Sequence, residues 1–290
     1  MKNKPVILGI GEIVWDCLPG EKKLGGAPVN FAYHAMQLGA ESYPVSAVGA
    51  DLLGEETLAA CKGYGLDTSY IQVNSLPTSR VLITLDDAGV PTYEIVENVA
   101  WDALVATPEA LALAARADAV CWGSLSQRNE ASRLAVQQIL SAVPAAAMKV
   151  FDINLRQHYF NREVVETSLR QANVLKLNEQ ELPIVLCMLG AADMAELISR
   201  YKLDYLIYTG GAAYSEIHSP KGLLSHIETP EVKVADTVGA GDCFTAAFVS
   251  SILQGETPAA AHEKAVRLSA WLCTLKGAIN PHVYETSRTR

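Results

Sequence analysis

The chain has 290 residues, of which 50% are hydrophobic and 19% charged, an ordinary composition that argues against a disordered, collagen-like or coiled-coil protein. Its 23 Lys and Arg are outnumbered by 32 Asp and Glu, and the net charge of -9 argues against a nucleic-acid partner, because phosphate backbones bind clustered positive charge. Its apolar stretches are too short for a signal peptide or a membrane helix, and its six cysteines form no CxxC pair. We therefore expect a cytoplasmic protein without a membrane partner.

Short apolar runs alternate with amphipathic helical stretches along most of the chain, a pattern typical of βαβ units and a mainly parallel sheet. We predict one α/β domain over residues 1–290. The segment from 218 to 237 shows no regular pattern and is predicted to be irregular. The predicted strands are 6–10, 43–48, 119–122, 149–153, 174–177 and 205–208, and the predicted helices lie near 28–38, 55–64, 110–119, 128–142, 162–172, 191–201, 240–254 and 258–274.

One region breaks this alternation of strands and helices. Residues 79–85 and 91–97 alternate apolar and polar side chains on either side of the turn cluster Asp86-Asp87-Ala88-Gly89, which predicts a β-hairpin. Residues 15–24 indicate a further extended piece. We expect the segments at about 12–24 and 79–100 to form a small β lid over the sheet rather than a separate domain.

The strongest local motif is Asp236-Thr237-Val238-Gly239-Ala240-Gly241-Asp242, directly before a helix with an apolar stripe. Its two glycines allow several N–H groups to converge at the positive end of that helix, which indicates an anion site. Asp242 falls in the first helical turn. The same residues also fit an ordinary tight turn with a favourable first-turn acid, so the motif alone leaves both interpretations open.

Four further motifs follow predicted strands or open a predicted helix, where open α/β sheets bind their ligands. Alternation in an extended chain puts Asp152, Asn154 and Arg156 on one side. A spacing of three puts Asn178 and Glu181 on one helix face, where they could hold a hydrated Mg²⁺. The motifs are Gly25-Gly26-Ala27-Pro28-Val29-Asn30, Asp152-Ile153-Asn154-Leu155-Arg156, Lys176-Leu177-Asn178-Glu179-Gln180-Glu181 and Thr209-Gly210-Gly211.

Other enzyme fingerprints are absent or incomplete in the sequence. No Gly-Lys dipeptide exists, so there is no P-loop, and no G-x-S-x-G supports a serine hydrolase. G-x-G-x-x-G is half met, since Gly9-Ile10-Gly11 is followed by Val14 where a third glycine is needed. A dinucleotide oxidoreductase is therefore weakly supported.

Taken together, the motifs resemble those of the ribokinase-like (PfkB) carbohydrate kinases from Gly9 to Gly277. Within that family they are most similar to those of bacterial fructokinases, through Gly11-Glu12, Gly25–Asn30, Asp152–Arg156 and Lys176–Glu181. The most specific parts are Gly25-Gly26-Ala27-Pro28-Val29-Asn30-Phe31-Ala32 and the segment from Asp236 to Asp242. The resemblance implies a twisted, mainly parallel sheet between helices with a β lid over a sugar site. It also implies ATP-dependent phosphorylation of a sugar hydroxyl and a homodimer joined through the lids.

The resemblance assigns a role to each motif residue. Asp242 would take the proton of the sugar hydroxyl, and Gly239, Ala240 and Gly241 would form the anion hole for the transferring phosphoryl group. The remaining implied roles are sugar contacts at Asp16, Gly26, Asn30 and Arg156, nucleotide contacts at Lys176, Thr209, Gly211 and Thr237, Mg²⁺ held through water by Asn178 and Glu181, and a monovalent cation such as K⁺ at Asp236, Val238 and Gly277.

Fructose is the first candidate for the sugar. Asp16, Asn30 and Arg156 form an acceptor-rich set that suits a neutral polyol better than a sugar phosphate, so we expect fructose rather than fructose 6-phosphate. Another kinase of the family, acting on ribose, 2-keto-3-deoxygluconate or a nucleoside, is the nearest alternative. A dinucleotide oxidoreductase and a non-catalytic sugar-binding protein remain as alternatives from other classes.

Overall fold

The computed structural model describes residues 4–18, 21–85 and 91–285, which form a large sheet with helices on both faces. In addition to the strands and helices named next, two short helical turns lie at Ala100–Ala103 and Leu125–Gln127. In chain order the elements are β1 (Val6–Ile10), β2 (Val14–Leu18), β3 (Glu21–Gly25), α1 (Ala27–Gln37), β4 (Glu41–Gly49), α2 (Leu52–Gly63), β5 (Ile71–Asn74), β6 (Arg80–Leu85), β7 (Pro91–Ile95), α3 (Pro108–Ala114), β8 (Ala119–Trp122), α4 (Glu130–Ala142), β9 (Met148–Asp152), α5 (Arg162–Gln171), β10 (Val174–Asn178), α6 (Glu181–Leu189), α7 (Met194–Tyr201), β11 (Tyr205–Thr209), β12 (Tyr214–Ser219), β13 (Gly222–Glu228), α8 (Ala240–Leu253), α9 (Pro258–Cys273) and α10 (His282–Glu285).

The main sheet has nine strands in the order β13-β12-β11-β10-β9-β8-β1-β4-β5. The strands from β11 through β5 pair in parallel, and β12 and β13 add an antiparallel edge. Side chains of β1 enter two apolar cores in turn, because Ile7 packs on one face of the sheet and Leu8 on the other. Burial of both faces explains why the parallel strands read as continuous apolar runs.

The predicted fold class, an α/β fold with a mainly parallel sheet between helices, is confirmed. One expectation about a segment is wrong, and several elements were not predicted, among them β5, β12 and α6. The segment from 218 to 237 is not irregular throughout, because Gly222–Glu228 forms β13, which pairs with β12. Helix α6 was not predicted either, since its sequence ELPIVLCML is apolar almost throughout and has no helical period to detect.

A second sheet of four strands, in the order β3-β2-β6-β7, comprises the two segments predicted as a lid. Strands β6 and β7 are antiparallel, as predicted for a hairpin, and β2 pairs with β6 in parallel. The predicted turn cluster at 86–89 lies outside the described residues. We call this four-stranded sheet the lid.

Among the helices in the described ranges, no single one is long and apolar enough to cross a bilayer, and α6 and α7 meet the length and composition criteria only as a pair bent by 57°. The apolar side chains of this pair, including Val185, Leu189 and Leu197, are buried in the core of the protein.

A buried ion pair lies beside the point where the chain leaves the lid after β7. The Arg128 guanidinium donates from Nε and Nη2 to the two carboxylate oxygens of Asp102, each at 2.8 Å, and from Nη2 to the backbone oxygen of Val96 at 2.7 Å. It also lies between two rings, 4.1 Å from the centroid of Trp101 and 4.7 Å from that of Tyr159. Because the side chains of Arg128 and Asp102 are 6% and 3% exposed, neither charge can be solvated if its partner is lost.

The pair generates a prediction about stability. Arg128→Met should lower the free energy of unfolding by about 3–5 kcal/mol, because it leaves the Asp102 carboxylate buried without its cation. Arg162→Met is the matched control, since Arg162 is 62% exposed and its ion pair with Glu166 lies on a helix surface. That control should lose less than about 1 kcal/mol. Denaturant unfolding measures both, and equal losses would show that the buried pair has no special weight.

Candidate active site

One cavity of about 590 Å³ opens at the carboxyl ends of the parallel strands, beneath the lid. Of the residues to which the resemblance assigns a role, Glu181, Asp236 and Gly277 do not line it. Those that do line it are Asp16, Gly26, Asn30, Arg156, Lys176, Asn178, Thr209, Gly211, Thr237, Val238, Gly239, Ala240, Gly241 and Asp242. Motifs that are up to 226 residues apart in the chain therefore meet at one site.

Helix α8 begins at the wall of this cavity. Its N-cap Gly239 has φ +78, and a Cβ there would lie 2.5 Å from Cβ of Ala278, so the turn requires glycine. The Ala240 N–H donates to the backbone oxygen of Thr237 at 3.2 Å and is not available to a ligand. The N–H groups of Gly241 and Asp242 have no acceptor among the described residues, so they carry the open positive end of the helix.

The Asp242 carboxyl faces the cavity in the first turn of α8. Asn30, on α1, donates from Nδ2 to Oδ2 of Asp242 at 2.8 Å. Burial, together with the negative charge of Asp152, raises the pKa of Asp242 to about 6, although Asn30, Lys176 and Arg156 act in the opposite direction. The carboxyl group is thus ionised at neutral pH and is a stronger proton acceptor than an ordinary aspartate.

A buried ion pair lies under the start of α8. Nζ of Lys176 is 3.0 Å from Oδ1 of Asp152 on the adjacent strand, and Thr245 on α8 donates to the other oxygen of Asp152 at 3.3 Å. Burial alone would lower the pKa of Lys176, but the carboxylates of Asp152 and Glu181 raise it above its ordinary value. The lysine is therefore a permanent positive charge close to Gly241, since a Cβ on that glycine would lie 3.0 Å from Nζ.

Asn178 and Glu181 do not share a helix face, because Asn178 ends β10 and Glu181 begins α6. They nevertheless meet: Oδ1 of Asn178 accepts from the Glu181 N–H at 3.0 Å, and Oε2 of Glu181 accepts from the Asn178 N–H at 2.9 Å. Oε1 of Glu181 accepts from the N–H of Leu155 at 2.9 Å. The buried Glu181 carboxyl therefore fixes the turn after β10 against the loop after β9.

The expected alternation of Asp152, Asn154 and Arg156 is also wrong. Asn154 has φ +43, in the left-handed region, so the extended strand ends before it. Asp152 points into the ion pair with Lys176, whereas Asn154 and Arg156 line the cavity. Arg156 is exposed at the cavity rim, where Nη1 donates to the backbone oxygen of Leu155 at 3.0 Å.

The lid closes one end of the cavity. Asp16, on β2, is opposite Lys23 of β3, and burial raises the pKa of Asp16 while the charge of Lys23 acts to lower it. Gly26 has φ +114, and a Cβ there would lie 2.5 Å from the backbone oxygen of Glu12, so α1 can start this close only with glycine. Apolar lid residues, Val81 and Ile95, complete this end.

The loop before α8 is held by Asp236, which lies beside the cavity wall. Its two carboxylate oxygens accept from the N–H groups of Val238 at 3.1 Å and Gly277 at 3.0 Å. Burial alone would raise the pKa of Asp236, but these hydrogen bonds and the charge of Lys23 lower it. Asp236, Val238 and Gly277, the residues expected to bind a monovalent cation, are therefore neighbours. The hydrogen bonds that join them run from the N–H groups of Val238 and Gly277 to the carboxylate of Asp236.

The nucleotide motif Thr209-Gly210-Gly211 ends β11, next to the turn after β10. The Glu179 N–H donates to the backbone oxygen of Thr209 at 3.1 Å, and Gly211 has φ +57. A Cβ on Gly211 would lie 2.9 Å from Oε1 of Glu179. Glu179 thus faces the cavity beside this motif, although the sequence had not singled it out.

Other lining residues were also missed in the sequence. Glu12 follows β1 and lines the cavity with a buried carboxyl, and the resemblance to fructokinases, which includes Gly11-Glu12, assigned it no role. The apolar residues contributed by the lid and by α9 look in the sequence like ordinary core positions. These residues include Val14, Val81 and Ile95 of the lid and Val266 and Ala270 of α9.

The chain matches known proteins over nearly its whole length. The family model described as pfkB family carbohydrate kinase matches residues 11–284. Fructokinase of Salmonella typhimurium is 28% identical over 300 residues, which cover 97% of this chain and 97% of that protein.

Solved structures share the fold. The crystal structure of fructokinase with bound ATP from Xylella fastidiosa has a TM-score of 0.83 at 22% identity, covering 99% of this chain and 100% of that one. The structure of a putative ribokinase II in complex with ATP and Mg²⁺ from Escherichia coli has a TM-score of 0.83 at 21% identity, with the same coverage. With a family model that matches almost every residue and a fold shared from end to end, the chain belongs to the PfkB family of carbohydrate kinases.

Proposed function

We propose that this carbohydrate kinase transfers the γ-phosphoryl group of ATP to a hydroxyl group of free fructose, giving fructose 6-phosphate. The observation that carries the proposal is the placement of Asp242: a carboxyl held by Asn30 lies in the same cavity as the open N–H groups at the start of α8. A proton acceptor and an anion site within one helical turn are what phosphoryl transfer to an alcohol requires.

In the proposed reaction the sugar hydroxyl gives its proton to Asp242, and its oxygen forms a bond to the γ-phosphorus. The bond between that phosphorus and the bridging oxygen of ADP breaks, and ADP leaves with the electron pair. The N–H groups of Gly241 and Asp242 stabilise the charge on the transferring group. Lys176 adds a fixed positive charge beneath Gly241, and its partner Asp152 holds it there.

ATP is the proposed phosphoryl donor. Two proteins of the same fold carry it in their crystal structures, with Mg²⁺ in one of them. The nucleotide phosphates would lie between the start of α8 and the motif of Thr209 and Gly211, with Thr237 and Lys176 beside them. The cavity wall between Val238 and α9, where Val266 and Ala270 lie, supplies the apolar surface that suits a nucleobase.

The first test of this proposal concerns Asp242. Asp242→Asn should fold, bind sugar and ATP, and lower kcat by about 10²–10⁴-fold, because an amide cannot accept the hydroxyl proton. ADP release over a panel of sugars measures it, with Asp204→Asn, an exposed acid between α7 and β11, as the matched control. A folded Asp242→Asn protein with a kcat near that of the wild type would remove Asp242 as the base.

Free fructose is proposed over fructose 6-phosphate because the less exposed positive charges around the cavity, Lys23 and Lys176, are already matched by acids, whereas Arg156 is exposed at the rim. Lys23 lies 3.7 Å from Oδ2 of Asp236, and Lys176 pairs with Asp152. The carboxyl groups of Asp16 and Asp242 line the cavity, and a phosphate on the incoming sugar would meet this negative charge. The match to a fructokinase supports fructose among neutral sugars.

The second test concerns Asp16. Asp16→Ala should raise the KM for fructose about 5–150-fold, because sugar hydroxyls lose their acceptors in a closed site, and should leave the KM for ATP nearly unchanged. Asp67→Ala, an exposed acid after α2, is the matched control. Two results would count against fructose: an unmoved KM for fructose in Asp16→Ala, or a wild-type kcat/KM that is higher for fructose 6-phosphate, ribose or 2-keto-3-deoxygluconate.

Mg²⁺ is proposed to enter with ATP. Within the described residues no three or more His, Cys, Asp or Glu side chains could hold a metal ion by themselves, and Mg²⁺ commonly binds through substrate phosphates, waters and one or two carboxylates. The side-chain oxygens of the turn after β10 fit such a role. Asn178 and Glu179 face the cavity, and the Glu181 carboxyl group fixes the turn by accepting from the Asn178 N–H. Mg²⁺ would neutralise phosphate charge there.

The third test follows from the buried position of Glu181. Glu181→Gln removes one of the two acceptors that fix the turn, so the Mg²⁺ concentration for half-maximal activity should rise about 10–100-fold, as for other outer contacts of metal sites. The KM for sugar should not move. Glu163→Gln, exposed on α5, is the control. An unchanged Mg²⁺ requirement in a folded Glu181→Gln protein would exclude the residue from this role.

Two further expectations stay predictions. A monovalent cation such as K⁺ would bind carbonyl oxygens in the loops of Asp236, Val238 and Gly277, which Asp236 holds together. A homodimer would form through the lid, whose edge strands are β3 and β7.

A further inference from the structure

Glu12 is an acid without an assigned role in the part of the cavity lined by Asp16, Gly26 and Asn30, the proposed sugar site. It follows β1, is 2% exposed and lines the cavity close to the start of α1. Its Oε2 atom is buried without a hydrogen-bond partner, and so is Oδ1 of Asn30, which lines the same cavity. Native proteins rarely leave buried polar atoms unpaired, so these two oxygens point to a partner that arrives with the ligand.

The charged groups around Glu12 do not neutralise it. They come from three elements: Arg156 from the loop after β9, Asp242 from α8, and Arg128 from the segment before α4. Arg128 is held by Asp102, and Arg156 is exposed at the rim. In the described part of the chain no Lys, Arg or His nitrogen lies within 4.0 Å of the Glu12 carboxyl group.

Burial governs the ionisation of Glu12. It raises the pKa of Glu12 to about 7, with the negative charge of Asp242 acting in the same direction and Arg156 acting against it. A carboxyl group in this environment is neutral over most of the acidic range and then carries one O–H donor. The same cavity thus holds one acid that is ionised at neutral pH, Asp242, and one that is half protonated there.

We propose that Glu12 binds the sugar as a neutral carboxylic acid, donating its O–H to a sugar oxygen from the position of Oε2. The proposal rests on the proposed sugar kinase function. Asp16 and Asn30 offer acceptors at this end of the cavity, so a neutral Glu12 supplies the donor that a sugar ring or carbonyl oxygen needs. Glu12 is thereby a specificity-determining residue, because a ligand that has no oxygen at that point leaves the O–H unpaired.

A consequence is that sugar binding and proton binding are linked. Because the bound sugar requires the protonated form of Glu12, sugar binding above pH 7 should be accompanied by uptake of up to one proton. The affinity for sugar should therefore fall by up to tenfold for each pH unit above 7. Below pH 6 the group is already protonated, and sugar should bind without proton uptake. At pH 8 Asp242, whose pKa is about 6, is already ionised and therefore adds nothing to this proton uptake.

The experiment is calorimetry of fructose binding without ATP, at pH 6 and pH 8, in two buffers with different ionisation enthalpies. Wild-type protein should take up nearly one proton per sugar at pH 8 and none at pH 6. Glu12→Gln keeps a donor at this position, so it should bind fructose at both pH values without that uptake. Glu55→Gln, an exposed acid on α2, should behave like the wild type.

Several results would overturn the proposal. The same proton uptake in Glu12→Gln as in the wild type would assign the proton to another group. Glu12→Ala should weaken fructose binding about 5–150-fold with ATP binding unchanged, and an unmoved fructose affinity would exclude the contact. If the variants do not fold, a wild-type affinity that is flat from pH 6 to pH 9 contradicts the proposal by itself.

Failure of this inference is distinguishable from failure of the proposed function. An active kinase whose sugar affinity ignores pH would contradict the role of Glu12 alone. A wild-type protein that phosphorylates none of the sugars in the panel would contradict the proposed function first.

Discussion

The site depends on keeping the carboxylate of Asp242 charged while protein surrounds it. Burial and the neighbouring charge of Asp152 disfavour ionisation, and the hydrogen bond from Asn30 with the positive charge of Lys176 restores it. Each of these groups comes from a different element. Strands β9 and β10 place the Asp152–Lys176 pair, α1 brings Asn30, and the glycine turn before α8 brings Asp242 to meet them. A rigid parallel sheet fixes all of these distances at once.

The lid contributes mostly apolar side chains to the cavity, beside the carboxyl group of Asp16 on β2. The apolar side chains of Val81 and Ile95 join Trp101 and Leu125 in a small core of their own. The buried Arg128–Asp102 pair and the hydrogen bond from the Tyr159 hydroxyl to the backbone oxygen of Ile95 tie this core to the body. A lid held in this way lowers the local dielectric over the cavity, which strengthens every electrostatic interaction at Asp242.

Much of the fold could be predicted from the sequence because its core elements carry strong periodic signals. The parallel strands are apolar runs bounded by glycines and polar residues, and α8 shows Phe244 and Phe248 one helical turn apart on its buried side. Strand β13 was missed because it is a partly exposed edge strand with Ser225 and His226 among its residues. Helix α6 has too little polar contrast for any period to be visible.

The candidate site was predictable where a motif fixes a backbone shape, as at Gly26 and Gly239, and less so where tertiary contacts decide. The mutual hydrogen bonds of Asn178 and Glu181 depend on a strand-to-helix junction that residue spacing does not reveal. Glu12 gave only a weak signal, because a single acid after a strand is usually exposed. Its burial follows from the close approach of α1, which no local pattern encodes.

The most direct measurement of the central claim is a titration of Asp242 itself. Carbon NMR of protein labelled at the aspartate carboxyl carbon, with the Asp242 signal assigned by its absence in Asp242→Asn, gives the pKa of this one group. The account predicts that the pKa of Asp242 is about 6 in the free enzyme. A signal that titrates at its ordinary value near 3.8, or below it, would contradict the claim that burial tunes this carboxylate as a base.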